Sequence, residues 1–178
     1  VLIRDFVKAG GEVTMTNKPL LSVRDLTLIH GKGCPECLQK TGPEQNSNIC
    51  PNCSSVVAMA GVSFDLFPGE IIGVVGESGS GKSTLVQSLY FEKELTKGEI
   101  YFDHPQTAGE DLSKIGSNRK RYFKNHLMGM VYQNPLAGLK PFFTNGANIA
   151  EKLLTADIYH FGKIRKRVKE LLFKTEVP

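Results

Sequence analysis

Apolar and polar positions alternate along Leu20–Ile29, and again along Val62–Phe67, which predicts two strands, the second half-buried. Ile71–Val75 is different: an apolar run interrupted only by Gly73, the pattern of a short parallel strand covered on both faces. Leu127–Tyr132 reads the same way and stops at Asn134-Pro135, with a loop expected over Leu136–Asn145. Between these runs the pattern predicts a helix over Ser83–Phe91, a turn at Lys97-Gly98, a short strand over Glu99–Phe102 and a polar, basic surface helix over Asp111–Asn125. Ile149, Leu153 and Leu154 mark one face of a later helix; Ile164, Val168, Leu171 and Leu172 mark another. No internal repeat is present.

The segment joining the first parallel strand to its helix carries the clearest chemistry. Gly76-Glu77-Ser78-Gly79-Ser80-Gly81-Lys82-Ser83-Thr84 is G-x-x-x-x-G-K-S, the phosphate-binding P-loop. A strand, a glycine loop and a helix N-terminus together aim several backbone N–H groups at one point, an arrangement suited to polyphosphate. Lys82 then reaches the β- and γ-phosphates, and the Ser83 hydroxyl serves Mg²⁺. The predicted class is an α/β P-loop fold that binds a polyphosphate with Mg²⁺.

Cys34-Pro-Glu-Cys37 and Cys50-Pro-Asn-Cys53 are the only cysteines, two C-x-x-C knuckles with twelve residues between them. Each knuckle presents two thiolates from a tight turn, and two knuckles complete a tetrahedron. The expectation is a small zinc-ribbon-like module over 31–57, inserted between the first two strands and holding structural Zn²⁺ with no open position for a water nucleophile. An iron–sulfur cluster is the competing metal group. Disulfides fit a reducing compartment poorly.

The chain of 178 residues is long enough for one domain with a core; 40% apolar and 22% charged residues are ordinary for a globular protein. A net charge of +4 is too mild to indicate nucleic acid or a membrane surface. The basic stretches Lys114–Lys124 and Lys163–Lys169 read as solvated helix faces. Residues 34–53 contain one Lys, no Arg and no aromatic, which argues against a nucleic-acid-binding ribbon. No apolar run approaches the roughly 20 residues that span a bilayer, and the N-terminus lacks a signal-peptide centre, so a cytoplasmic location is expected. Segment 1–17, with its first Met at position 15, is expected to be an arm or upstream sequence, and 18–178 the nucleotide-binding domain.

The order of these pieces resembles the nucleotide-binding domain of ABC ATPases, from about Lys18 to Pro178. Gln133, after a buried strand, is similar to the Q-loop glutamine of that family. Within the family the chain resembles the ATP-binding subunits of bacterial carbon–phosphorus lyase systems. Gln133-Asn134-Pro135-Leu136-Ala137-Gly138-Leu139, Gly146–Leu153, Tyr159–Arg165 and the cysteine insertion carry that closer likeness. The resemblance implies that the Gly76–Thr84 backbone holds phosphates, that Lys82 neutralises them, and that Ser83 and Gln133 approach Mg²⁺, Gln133 also lying near the attacking water. It also aligns His30 with an adenine-stacking aromatic; a loop histidine beside the cysteines is the alternative reading. It implies ATP hydrolysis, a second ABC ATPase subunit (identical or different) and a carbon–phosphorus lyase core complex as partners, and phosphonate catabolism as the setting. An oligopeptide-type importer shares the Gln133–Leu136 phrase. The family's signature motif, Walker B Asp, catalytic Glu and switch His are not found in the 178 residues, so this portion of the domain is incomplete and is expected to hydrolyse ATP inefficiently alone.

Overall fold

The computed structural model describes residues 18–107 and 109–176; the expected arm 1–17 lies outside them. The described residues form two units, divided between Gly116 and Ser117. In the first, β1 (Leu21–His30) is the centre of a three-stranded antiparallel sheet, flanked by β2 (Val56–Leu66) and β3 (Lys97–Phe102) in the order β2-β1-β3. Val23 pairs with both Phe64 and Ile100, and Val23, Leu26, Leu28, Met59, Phe64 and Ile100 are buried together with Leu85, Leu112 and Ile115. The alternation of β1 breaks at Asp25, whose φ of 50° marks a register shift. There Asp25 N donates to Ser63 Oγ at 2.8 Å and Lys97 pairs with the Asp25 carboxylate.

Gly98 shows why this shift is tolerated. A Cβ at Gly98 would lie 2.7 Å from Asp25 O and 2.7 Å from Leu26 Cα, so β3 comes closer to the backbone of β1 than any side chain permits. After β3, Asp111–Ile115 is not helical as expected. Leu112 N donates to Ile100 O at 2.7 Å and the Asp111 carboxylate accepts from Ile100 N at 3.1 Å. Leu112 and Ile115 are buried and Leu112 is bonded to β3, which outweighs the helical pattern of the segment; the helix begins only at Ser117.

The two segments expected as buried parallel strands do not form strands. Ile71–Val75 makes a single bridge at Val74, and Ile71 and Val75 stay 61% and 57% exposed. Leu127–Tyr132 is irregular and Val131 is 96% exposed. A parallel strand needs hydrogen-bonding strands beside it and covering layers on both faces. The described residues supply only the antiparallel sheet, so the apolar runs have nothing to complete them.

The second unit is helical: α2 (Ser117–His126), α3 (Asn145–Thr155) and α4 (Phe161–Lys174). Thr144 caps α3 by accepting from Ala147 N at 3.1 Å, and His160 caps α4 by accepting from Lys163 N at 3.3 Å. The half-buried faces are the expected ones, Ile149 and Leu153 on α3 and Ile164, Val168, Leu171 and Leu172 on α4; Leu154 is 43% exposed, at the edge of its face. Residues 135–138 of the expected loop form a 3-10 turn, capped by Asn134 accepting from Leu136 N at 3.0 Å. Among the described residues, no helix is long and apolar enough to cross a membrane.

Candidate functional site

The glycine loop leads into α1 (Lys82–Leu89), the helix expected there. Gly79 and Gly81 take φ values of 82° and 89°, the left-handed region that a side chain disfavours. At Gly81 the requirement is also spatial: an added Cβ would meet Ala58 O of β2 at 2.3 Å. Gly79 has nothing within 4 Å of such a Cβ, so its backbone faces open space. No side chain caps the first N–H groups of α1, which leaves that helix end able to receive an anion. Lys82 Nζ turns back over the loop, donating to Gly76 O at 2.8 Å and Glu77 O at 2.6 Å, with Ser80 Oγ at 3.4 Å. The loop residues 76–80 and Ser83 are exposed, while Lys82 and Thr84 are half-buried. Gly76–Thr84 thus form one continuous stretch, an exposed glycine loop leading into an uncapped helix end whose donor groups suit an anion.

The four cysteines form a second cluster. Their sulfurs all lie within 4.8 Å of one another. Cys34 Sγ is 3.6 Å from both Cys37 Sγ and Cys50 Sγ, and Cys37 Sγ is 3.4 Å from Cys53 Sγ. A tetrahedral tetrathiolate ion with metal–sulfur bonds of about 2.3 Å has edges of about 3.8 Å, close to these separations. Cys37 and Cys50 are fully buried. Hydrogen bonds from the Ser55 hydroxyl and backbone bring the Cys53 thiol down to about 6 against the opposing effect of burial. The Cys34 backbone N–H favours the Cys37 thiolate, yet burial and the neighbouring thiols prevail and push Cys37 up to about 12. Burial raises Cys34 as well. Thiols that resist ionising together are the donor set a cation converts to thiolates by displacing protons.

Ser55 and Ala58 carry weight that pattern reading missed. Ser55 is 3% exposed; its Oγ accepts from Gly33 N at 3.0 Å and its carbonyl from Cys50 N at 2.8 Å, so it ties the two knuckles together. Its position two residues after Cys53 was the available signal. Ala58 acts only through its carbonyl, for which no residue pattern exists. His30 is exposed at the last position of β1, paired with Val56 where the cysteine module begins. Gln133 is exposed in the second unit, immediately before the Asn134-capped turn.

Three comparisons bear on this geometry. The family model described as ABC transporter matches residues 59–177. The chain is 33% identical over 162 residues to the "Putative phosphonates utilization ATP-binding protein PhnK" of Escherichia coli (strain K12), covering 91% of this chain and 53% of that protein. It is 40% identical over 122 residues to the oligopeptide transport ATP-binding protein OppF of Bacillus subtilis (strain 168), covering 66% and 37%. The chain thus spans about half the length, or less, of these relatives. The ATP-binding cassette MJ0796, in a dimeric post-hydrolysis state bound to ADP and Pi, superposes with a TM-score of 0.64 at 22% identity, over 88% of this chain and 57% of that one. That likeness identifies the fold as the ABC cassette form of the P-loop architecture, here carrying an inserted four-cysteine cluster.

Proposed function

The chain belongs to the ABC transporter family of ATP-binding proteins, and we propose that it is the ATP-binding and ATP-hydrolysing subunit of a carbon–phosphorus lyase system acting in organic phosphonate catabolism. The observation that carries this reading is the match to the phosphonates utilization relative at 33% identity over 91% of the chain, against 30% for a relative named "Putative peptide import ATP-binding protein" that covers 92% of it. The higher identity to the oligopeptide relative, 40% against 33%, is confined to its shorter span and supports the second reading, an oligopeptide-type importer ATPase.

In this proposal the backbone N–H groups of Gly76–Thr84 hold the phosphates of ATP, and Lys82 exchanges its loop carbonyls for phosphate oxygens, which are stronger acceptors for an ammonium. The Ser83 hydroxyl would hold Mg²⁺, and Gln133 keeps the Q-loop role that the family resemblance implies for it. His30 offers an imidazole face to adenine, smaller than a tyrosine ring. Mg²⁺, when bound, neutralises charge across the β- and γ-phosphates. Cys34, Cys37, Cys50 and Cys53 hold structural Zn²⁺. The γ-phosphate side of the site is completed by a second ATPase subunit, the assembly works in the cytoplasm, and the carbon–phosphorus chemistry resides in partner subunits.

The test is complementation with the full-length protein. A bacterium lacking its phosphonate-system ATP-binding subunit regains growth on methylphosphonate as sole phosphorus source. A strain lacking its oligopeptide importer ATPase does not regain peptide uptake. The reverse outcome replaces the first reading with the second, and a purified full-length protein that gives no calorimetric heat with Mg·ATP refutes both.

A further inference from the structure

The cysteine module has almost no core of its own. From Gly31 to Cys53 the only buried residues are Cys37 and Cys50, while Leu38 and Ile49 are 47% and 53% exposed. Two buried side chains cannot offset the entropy of ordering a segment this long, which is the situation small metal modules resolve by ligation. The sulfur separations of 3.4–3.6 Å suit one ion bound by four thiolates. An iron–sulfur cluster places iron and sulfide atoms between its cysteines and holds their sulfurs farther apart.

This module is joined to the glycine loop by a short, tightly bonded path. Ser54 N donates to Cys50 O at 2.8 Å and Cys50 N to Ser55 O at 2.8 Å, closing the second knuckle. Ser55 packs so closely on Gly31 that a Cβ there would meet its Oγ at 2.8 Å, which fixes the exit from β1 against the entry to β2. Val57 N donates to Asn48 O at 2.8 Å, and Ile49 bridges Val56, so the ligand-bearing hairpin runs directly into β2. One residue beyond Val57 is Ala58, whose carbonyl sits against Gly81 at the start of α1. Displacing the first residues of β2 therefore moves the surface on which the P-loop glycine rests.

Resting on the reading of the P-loop as an ATP site, we propose that Cys34, Cys37, Cys50 and Cys53 hold one Zn²⁺ which orders residues 31–57 and, through Ser55 and Ala58 of the hairpin and β2, holds the P-loop in its phosphate-binding shape. The thiol protons leave to solvent as the ion binds. Metal loading and nucleotide binding are then coupled, each strengthening the other.

The full-length protein, purified with Zn²⁺, is compared with the same protein stripped by a chelator under reducing conditions, the chelator then being removed. One Zn²⁺ per chain is expected, and Co²⁺ in its place gives the visible absorption of a tetrahedral tetrathiolate. Stripping weakens Mg·ATP binding by about tenfold or more, and Zn²⁺ restores it. Amide hydrogen exchange rises over 31–58 and 76–84, while the paired amides of Val23 and Ile100 stay protected. Cys37→Ser reproduces the stripped state. Lack of stoichiometric metal, or a non-tetrahedral cobalt spectrum, overturns the metal site. Equal ATP affinity in loaded and stripped protein overturns the coupling alone. Loss of protection throughout β1 and β3 on stripping overturns the local route. A loaded protein with a tetrahedral cobalt spectrum and no ATP binding overturns the nucleotide reading, and the coupling falls with it.

Discussion

Gly81→Ala isolates the contact on which the P-loop is seated. The added Cβ would stand 2.3 Å from Ala58 O and 3.5 Å from Ala58 C. Real Cβ atoms essentially never come within 3.0 Å of such a neighbour, so the loop or β2 shifts by at least 0.7 Å, the difference between the two distances. A carbonyl in a paired strand has no rotamer with which to move aside. Overpacking of this kind costs about 1–3 kcal/mol, and a side chain at a φ of 89° adds about 1–2 kcal/mol. Gly79→Ala is the control, because its φ of 82° carries the same backbone cost with nothing within 4 Å to collide with. Urea denaturation without nucleotide therefore places Gly81→Ala about 1–3 kcal/mol below Gly79→Ala. Equal stabilities of the two variants would refute the claim that β2 buttresses the loop.

Gly98→Ala brings a Cβ to 2.7 Å from Asp25 O and 2.8 Å from Arg24 O, both backbone atoms of the central strand, at a φ of 113°; a loss of about 2–5 kcal/mol in unfolding free energy, measured by urea denaturation, is expected. Lys82→Ala removes charge-assisted hydrogen bonds worth about 1.5–3 kcal/mol to bound phosphate, so calorimetry shows roughly 10- to 100-fold weaker Mg·ATP binding while the sheet unfolds at the same urea concentration. The Asp111 carboxylate is held below its ordinary range: burial opposes this, but Lys114 at 2.9 Å and the N–H groups of Ile100 and Ser113 outweigh it. A depressed folded value means that its contribution is full above the ordinary carboxylate range and lost as pH falls through the folded value. Asp111→Asn is then less stable than the parent by about 1 kcal/mol near neutral pH, and the gap closes as both are titrated below pH of about 4.

Much of the candidate site was legible because its chemistry is local in sequence. Gly76–Thr84 is one continuous stretch, a glycine loop and the first turn of α1, and the left-handed backbone at Gly79 and Gly81 is a local requirement that residue type announces. The two C-x-x-C pairs are likewise short turns whose geometry follows from spacing, and the four sulfurs do converge. The β1 and β3 strands and the helical faces at Ile149/Leu153 and Ile164/Val168/Leu171/Leu172 were legible because their apolar periods match the element that buries them. Asp111–Ile115 was not: its composition suits a helix, but Leu112 and Ile115 are buried more fully than a surface helix offers.

The residue pattern by itself determined which local features are present, a glycine loop ending at Lys82 and a four-thiol cluster at Cys34, Cys37, Cys50 and Cys53, since both depend on residue identity at fixed short spacing. Only the tertiary structure decided that these features touch a common strand. Ser55 locks the knuckles to the end of β1, and the Ala58 carbonyl meets Gly81. The tertiary structure also decided that Ile71–Val75 and Leu127–Tyr132 are not strands among the described residues. An apolar run states a need for burial, but neighbouring strands outside the run are what satisfy its backbone hydrogen bonds.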